Sequence, residues 1–236
     1  MTIQETQLAA WRDLAVSLAR GAGELARRAQ GEGWPADPPI EVDVERRMVH
    51  GITGRFRDHA VVSRLRRSGP DDADVVWLVD PLDGAQNYAI GFDVHGASLA
   101  VVADGEVVVG VVHDSVSGRT CSAVRGGGAE REGTVLRVRP AVPLAEATLS
   151  WIGRPSSISA LLEDRAGRVL RTDAPSTDWA LLAAGGTHAA VVGTDDRWAL
   201  DAGLLLATEA GASHERVGDH VVVGPPDLVA EVLTFL

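Results

Sequence analysis

The segment DPLDGAQNY, residues 80–88, follows the apolar run VVWLV at residues 75–79 and guides the interpretation of the rest of the chain. The run predicts a short buried strand that ends with the Asp-Pro pair. Asp80 and Asp83 place two carboxylates three residues apart, before a Gly turn, and their oxygen atoms are suited to a hard cation such as Mg²⁺. The other interpretation is that Asp80 closes a turn and Asp83 caps the next helix. The segment alone leaves both interpretations open.

Outward from this segment, strand patterns and helix patterns alternate. Two runs, ASLAVVA at residues 97–103 and EVVVGVV at 106–112, flank the turn dipeptide Asp104-Gly105 and predict a hairpin. Apolar residues at helical spacing predict an amphipathic helix over residues 4–30. Strands that occur both as hairpins and between helices predict an α/β fold with mixed sheets layered with helices. Further helices are predicted at residues 44–56, 176–184, 198–210 and 227–236, and further strands at 120–124, 135–138, 188–192 and 221–223.

Composition limits the classes of function. The 236 residues are 45% hydrophobic and 23% charged, which is enough apolar material for one large domain or two small ones. The net charge of -11 argues against binding to nucleic acid. We find no apolar run near the roughly 18 residues of a membrane helix, and no signal-peptide pattern. The single cysteine, Cys121, excludes an intrachain disulfide and a thiolate zinc cluster. We therefore expect a cytoplasmic protein with a small-molecule substrate, and neither nucleic acid nor membrane as a partner.

The segment 80–88 resembles the D-P-[IL]-D-G-T-x-N-F signature of the inositol monophosphatase superfamily. The segments at residues 110–112, 123–129, 136–138 and 198–211 resemble the continuation of that family in the same order. The resemblance implies an αβαβα sandwich, hydrolysis of phosphate esters assisted by Mg²⁺, and a homodimer. It also implies a single unit over residues 1–236, with an N-terminal half at 1–140 and a C-terminal half at 141–236.

The sequence departs from the family pattern at three positions. Family members carry Gly-Glu-Glu upstream of the Asp pair, whereas the stretch VVSRL at residues 61–65 has no acid and places Arg64 there. Ala85 replaces the threonine that follows Asp-Gly, and Ala199 replaces the aspartate of a Trp-Asp pair. Of the metal ligands that the resemblance implies, Asp80, Asp83 and the Leu82 carbonyl remain. We therefore expect no intact metal site and no cofactor, with Mg²⁺ only if the chain is a working phosphatase.

Four side chains are candidate catalytic residues: Asp80, Asp83, Arg64 and Asp43. Arg64 is interpreted in two ways, as a built-in counter-ion for the two aspartates in place of the metal or as a solvent-facing loop residue. Asp43 is either a base or the N-cap of the helix that begins at residue 44. The candidates for binding substrate or an anion are Gly84, Ala85, Gln86 and Asp201, although helical rotation turns Asp201 about 200° away from position 199.

These departures predict an inositol-monophosphatase-like protein that has lost its Mg²⁺-dependent hydrolytic machinery. It would then perform metal-independent acid–base chemistry on a small polar or anionic substrate, or only bind it. One alternative is a Mg²⁺-dependent phosphatase for a sugar, inositol or nucleotide phosphate, in which Glu41, Asp43 or Asp201 completes the metal site. The other is a non-catalytic partner that dimerises with an active family member.

Overall fold

The computed structural model describes residues 3–31, 39–194 and 196–236. The helices are α1 (Glu5–Gly31), α2 (Ile40–Arg55), α3 (Ala85–Ala89), α4 (Ser157–Arg165), α5 (Pro175–Ala183), α6 (Arg197–Glu209) and α7 (Pro226–Leu233). The strands are β1 (Ala60–Ser63), β2 (Arg67–Ser68), β3 (Val75–Asp83), β4 (Gly96–Ala103), β5 (Glu106–Asp114), β6 (Thr120–Val124), β7 (Gly128–Arg131), β8 (Thr134–Val135), β9 (Thr148–Ile152), β10 (Arg168–Leu170), β11 (Ala189–Val192), β12 (Ser213–Val217) and β13 (His220–Gly224).

Two mixed sheets form the framework. The first sheet has eight strands in the order β2-β1-β3-β4-β5-β6-β7-β8. In this sheet β1 and β3 are parallel, and all the other neighbouring strands are antiparallel. The second sheet has five strands in the order β10-β9-β11-β13-β12, with parallel pairs on one side and antiparallel pairs on the other. The predicted hairpin is β4–β5. The prediction of an α/β fold with mixed sheets is confirmed.

Helices cover both faces of each sheet, so that the layers run α–β–α–β–α. The helices α1 and α2 pack on the outer face of the first sheet, α5 and α6 lie between the two sheets, and α4 and α7 cover the second sheet. A hydrophobic cluster fills each of the four spaces between layers, with Trp77, Leu206, Trp179 and Trp151 among their buried residues. The αβαβα sandwich implied by the resemblance is therefore confirmed.

The helix α1 shows how the pattern of apolar residues positions a layer. Trp11, Ala15, Ala19, Ala22 and Ala26 recur every three or four residues and are buried against β4 and β5. The small side chains let the helix lie close to the sheet. Although α1 is the longest helix in the described part of the chain, no helix there is both long and apolar enough to cross a membrane.

Two predicted boundaries near the Asp pair are wrong. The strand β3 does not end with the Asp-Pro pair but continues to Asp83, because a register irregularity between Asp80 and Asp83 accommodates Pro81, which has no N–H to donate. The helix α2 begins at Ile40 after Pro39 rather than at residue 44. Asp43 is therefore not the N-cap of α2 and lies in its first turn, where a carboxylate is favoured by the helix dipole.

Candidate functional site

A cleft of about 830 Å³ opens beside the end of β3. Its walls come from both sheets, because the loops after β9, β10 and β11 face the turn between β3 and α3. Four candidate groups from the sequence line it together: Arg64, Asp80, Asp83 and the turn of residues 84–86. Leu82 lines it as well. The other lining residues are Glu41, Ile152, Gly153, Arg154, Pro155, Arg171, Asp173, Pro175, Gly193, Thr194, Asp196 and Ala199.

The backbone of β3 places the two aspartates at the floor of this cleft. The amide of Leu82 donates a hydrogen bond to Asp80 Oδ1 at 3.3 Å, and the amide of Ser176 donates to Asp83 Oδ2 at 2.5 Å. Gly84 then adopts φ 77°, a left-handed conformation that favours glycine and turns the chain into α3. Both carboxylates are nearly inaccessible to solvent, with exposures of 2% for Asp80 and 6% for Asp83.

Arg64 faces the cleft and binds two carboxylates. Its Nε lies 2.9 Å from Asp80 Oδ2 and its Nη1 lies 2.7 Å from Asp196 Oδ2. The guanidinium also lies over the ring of Trp198, 5.3 Å from its centroid. Of the two interpretations drawn from the sequence, the structure therefore agrees with a counter-ion for Asp80 and disagrees with a solvent-facing loop residue. Arg64 is still 37% exposed, so its guanidinium remains accessible from the cleft.

Burial dominates the electrostatics of the acidic groups. It raises the pKa of Asp80, although the Arg64 guanidinium opposes this shift. Burial, with the nearby Asp80 carboxylate, raises the pKa of Asp83 to about 7. The pKa of Glu41 is raised for the same two reasons. Burial by itself lowers the pKa of Arg64, but the ion pairs with Asp80 and Asp196 outweigh it and the net shift is upward.

Two candidates from the sequence lie outside this set. Asp43 binds the exposed Arg46 at 2.8 Å on the surface of α2, and Glu41 is the acid of that helix turn that lines the cleft. Asp201 binds Arg197 at 2.7 Å and does not line the cleft, whereas Ala199 does. This placement agrees with the rotation of about 200° between positions 199 and 201.

Sequence reasoning missed Asp196, and it named Glu41 only as a residue that could complete the metal site of a working phosphatase. Asp196 is the N-cap of α6, since its Oδ1 accepts the amide of Trp198 at 3.1 Å, and its Oδ2 reaches Arg64. An Asp in front of a predicted helix is a recognisable capping signal. The cap alone could not have placed Asp196 beside Arg64, which lies 132 residues away in the sequence.

The oxygen atoms of the Asp pair are largely used by the protein. Asp80 Oδ2 accepts from Arg64, Asp80 Oδ1 from Leu82, and Asp83 Oδ2 from the Ser176 amide. Within residues 3–31, 39–194 and 196–236, no group of three or more His, Cys, Asp or Glu side chains is arranged to hold a metal ion. Ala199 lines the cleft at the position where the family pattern carries an aspartate.

A second buried carboxyl, Asp178 of α5, lies behind the floor of the cleft and makes stability depend on pH. It is 1% exposed, accepts the Thr172 hydroxyl at 2.7 Å, and has a pKa that burial raises to about 7. The unfolded chain releases this proton near pH 4, whereas the folded chain keeps it until about pH 7. The contribution of Asp178 to the free energy of unfolding should therefore be fully present below pH 4 and should be lost as the pH rises through this window.

We expect Asp178→Asn to remove this loss. Relative to the parent, its free energy of unfolding should improve by about 2–4 kcal/mol between pH 4 and pH 8, because three pKa units correspond to about 4 kcal/mol. Urea denaturation across this pH range measures the difference. The exposed Asp164→Asn on α4 is the matched control and should leave the pH profile unchanged. Equal pH profiles for Asp178→Asn and the parent would show that Asp178 titrates normally.

Comparison with known proteins identifies the family. The family model described as "Inositol monophosphatase family" matches residues 8–231. The inositol-1-monophosphatase of Mycobacterium leprae is 32% identical over 210 residues, which cover 81% of this chain and 72% of that protein. The Nus factor SuhB of Pseudomonas aeruginosa is 30% identical over 259 aligned positions, covering 95% and 94%. The solved structure of Mycobacterium tuberculosis SuhB superimposes with a TM-score of 0.84 at 25% identity, covering 97% and 96%. With its five-layer fold, its Asp pair at the end of β3 and these matches, the chain belongs to the inositol monophosphatase family.

Proposed function

We propose that this chain binds a small phosphorylated or otherwise anionic molecule in the cleft and that it does so without Mg²⁺. The observation that carries the proposal is the Arg64 guanidinium, which lies 2.9 Å from Asp80 and supplies a fixed positive charge beside the Asp pair. Binding alone satisfies the proposal. Metal-independent acid–base chemistry on the bound molecule, with Asp80 and Asp83 as the acidic groups, is its enzymatic form.

The side chains of the cleft do not fit a Mg²⁺ ion. Mg²⁺ demands near-octahedral oxygen ligation and gives up water reluctantly. Here three of the four carboxylate oxygens of Asp80 and Asp83 already accept hydrogen bonds, and one of their donors is a cation. A guanidinium this close to the site repels a divalent ion. The repulsion is on the order of 4 kcal/mol per unit charge of the ion when the ion lies about 4 Å from the guanidinium. These facts support the loss of Mg²⁺-dependent hydrolysis.

Positive groups on more than one wall support an anionic ligand. Arg64 uses Nε and Nη1 for Asp80 and Asp196 and keeps an accessible face toward the cleft. Arg154 and Arg171 line the facing wall, on the loops after β9 and β10. Arginine binds phosphate and carboxylate through its planar fork of N–H donors. We propose that the turn of Gly84, Ala85 and Gln86 contributes backbone contacts to the same ligand.

Inorganic phosphate and a small phosphate ester are expected to bind in the presence of EDTA, and millimolar Mg²⁺ is expected neither to tighten binding nor to start hydrolysis. Arg64→Gln should weaken phosphate binding by about tenfold or more, because a charge-assisted contact is lost. Calorimetry and release of inorganic phosphate from the ester measure the two effects. Arg67→Gln is the matched control, since Arg67 pairs with the fully exposed Asp71 and does not line the cleft. Hydrolysis that depends on Mg²⁺ and disappears in Asp80→Asn would contradict the proposal.

The second candidate function is a Mg²⁺-dependent phosphatase for a sugar, inositol or nucleotide phosphate. It is favoured by five carboxyl groups that line the cleft, Glu41, Asp80 and Asp83 among them, and by the names of relatives such as the inositol-1-monophosphatase of Mycobacterium leprae. It requires Arg64 to leave Asp80 before an ion enters. The hydrolysis assay described above decides between the two candidates.

We further propose that the protein is a cytoplasmic homodimer that acts on a small molecule rather than on nucleic acid or membranes. The net charge of -11 supports the exclusion of nucleic acid. Family membership supports the dimer, and also leaves a role as a non-catalytic partner of an active family member. Light scattering of the purified protein tests the homodimer, and mixing with an active relative tests the partner role.

A further inference from the structure

Glu45 of α2 is a buried charge outside the cleft. It is 0% exposed, its Oε2 accepts Arg66 Nη2 at 2.5 Å, and its Oε1 accepts the Ser63 hydroxyl. Burying a carboxylate is costly unless each oxygen receives a donor, and here each oxygen has one. Both donors belong to the same short turn, residues 63–66, which links β1 to β2.

The Ser63 hydroxyl holds that turn closed. Its oxygen accepts the amides of Leu65 and Arg66, both at 3.1 Å, and the Arg66 carbonyl accepts the Ser63 amide at 2.9 Å. A hydroxyl has one proton and two lone pairs. With both lone pairs used by the turn, the proton is directed to Glu45 Oε1, which lies closer to the hydroxyl than its other acceptor, the Arg66 carbonyl at 3.3 Å. The carboxylate of Glu45 therefore fastens both ends of the turn to α2.

Arg64 lies between the two fastened residues. The parallel pairing of β1 with β3 aligns Ser63 with Val79, so the next residue of each strand, Arg64 and Asp80, meet at the same edge of the sheet. We propose that Glu45 is a positioning residue, whose carboxylate fixes the turn of residues 63–66 and so aims the Arg64 guanidinium at the anion in the cleft. This inference rests on the proposed function, in which Arg64 binds the anion.

Glu45→Gln tests the inference, with inorganic phosphate in EDTA as the probe. The amide nitrogen of Gln cannot accept from Arg66, so the turn loses one of its two attachments. We expect phosphate affinity to fall by about tenfold in the parent background and to change little more in an Arg64→Gln background. The Nε–H resonance of Arg64 should also move in the Glu45→Gln spectrum, because its hydrogen bond to Asp80 is no longer held in place. The exposed Glu24→Gln on α1 is the matched control.

Arg66→Gln keeps the test valid if Glu45→Gln fails to fold. Arg66 is half-exposed, and its loss leaves the Ser63 hydroxyl bound to Glu45. We expect a smaller fall in phosphate affinity that again depends on Arg64. Folded variants that bind phosphate like the parent, or that lose the same factor without Arg64, would overturn the positioning role. If Arg64→Gln itself binds phosphate like the parent, the proposed function fails instead, so the two failures are distinguishable.

Discussion

Arg64→Glu is expected to be less stable than the parent by about 2–4 kcal/mol at neutral pH. The Asp80 side chain is 3% exposed and its strongest favourable partner is Arg64. Breaking a buried ion pair by removing one partner typically costs about 3–5 kcal/mol, and solvent screening at the 37% exposed Arg64 reduces this figure. The new carboxylate also adds repulsion with Asp80 and Asp196. Arg64→Gln, which removes the charge without reversing it, should cost about 1–2 kcal/mol.

The deficit of Arg64→Glu should shrink on acidification. Without the arginine, the pKa of Asp80 is raised further above its value in the unfolded chain. A carboxyl group with a raised folded pKa favours folding below its unfolded pKa and loses that contribution as the pH rises. Thermal denaturation at several pH values measures this dependence, and Arg67→Glu on β2 serves as the control. An Arg64→Glu protein as stable as the parent at neutral pH would show that the pair with Asp80 contributes nothing to folding.

The triple variant Arg64→Glu, Ala85→Thr and Ala199→Asp is expected to bind Mg²⁺, in contrast to the parent. Ala199 lines the same cleft as Asp80 and Asp83, so an aspartate at this position would face them. Glu at position 64 would replace the repelling guanidinium by an oxygen ligand. Four carboxylates and the Leu82 carbonyl then approach the oxygen set that Mg²⁺ prefers.

Mg²⁺ binding should restore the stability that the triple variant loses. An ion that binds only the folded state stabilises it by RT ln(1 + [L]/Kd), which is about 2.7 kcal/mol at 100 times Kd. We expect the melting temperature of the triple variant, but not of the parent, to rise with Mg²⁺, and some phosphatase activity on small phosphate esters to appear. The single variant Arg64→Glu is the control and should respond weakly. If Mg²⁺ does not raise the melting temperature of the triple variant, the three positions do not form a metal site.

The local features of the site could be predicted from the sequence. Asp80 and Asp83 are close in the chain, so their common position at the end of a buried strand follows from one apolar run and one Gly turn. The position of Asp201 away from the cleft follows from helical rotation alone. The hairpin and α1 were predictable for the same reason, because their patterns are local and strongly periodic.

The remaining features depend on contacts between distant segments. Arg64 meets Asp80 because β1 pairs parallel with β3, a pairing that a sequence of two short apolar runs does not specify. Asp196 reaches Arg64 only after the second sheet closes one wall of the cleft. Asp43 was preferred to Glu41 as a catalytic candidate, and this choice was wrong because α2 begins earlier than predicted. In a helix that begins at Ile40, Glu41 faces the cleft and Asp43 faces Arg46.

The absence of a Mg²⁺ site in the cleft can be tested directly with a crystal of the parent protein soaked in Mn²⁺ and measured for anomalous scattering. Mn²⁺ prefers the same oxygen ligands as Mg²⁺, and unlike Mg²⁺ it gives a clear anomalous signal. We expect no anomalous peak between Asp80 and Asp83, and we expect the Arg64 guanidinium to stay on Asp80. An anomalous peak coordinated by both aspartates, with Arg64 displaced, would show that the cleft is a metal site after all.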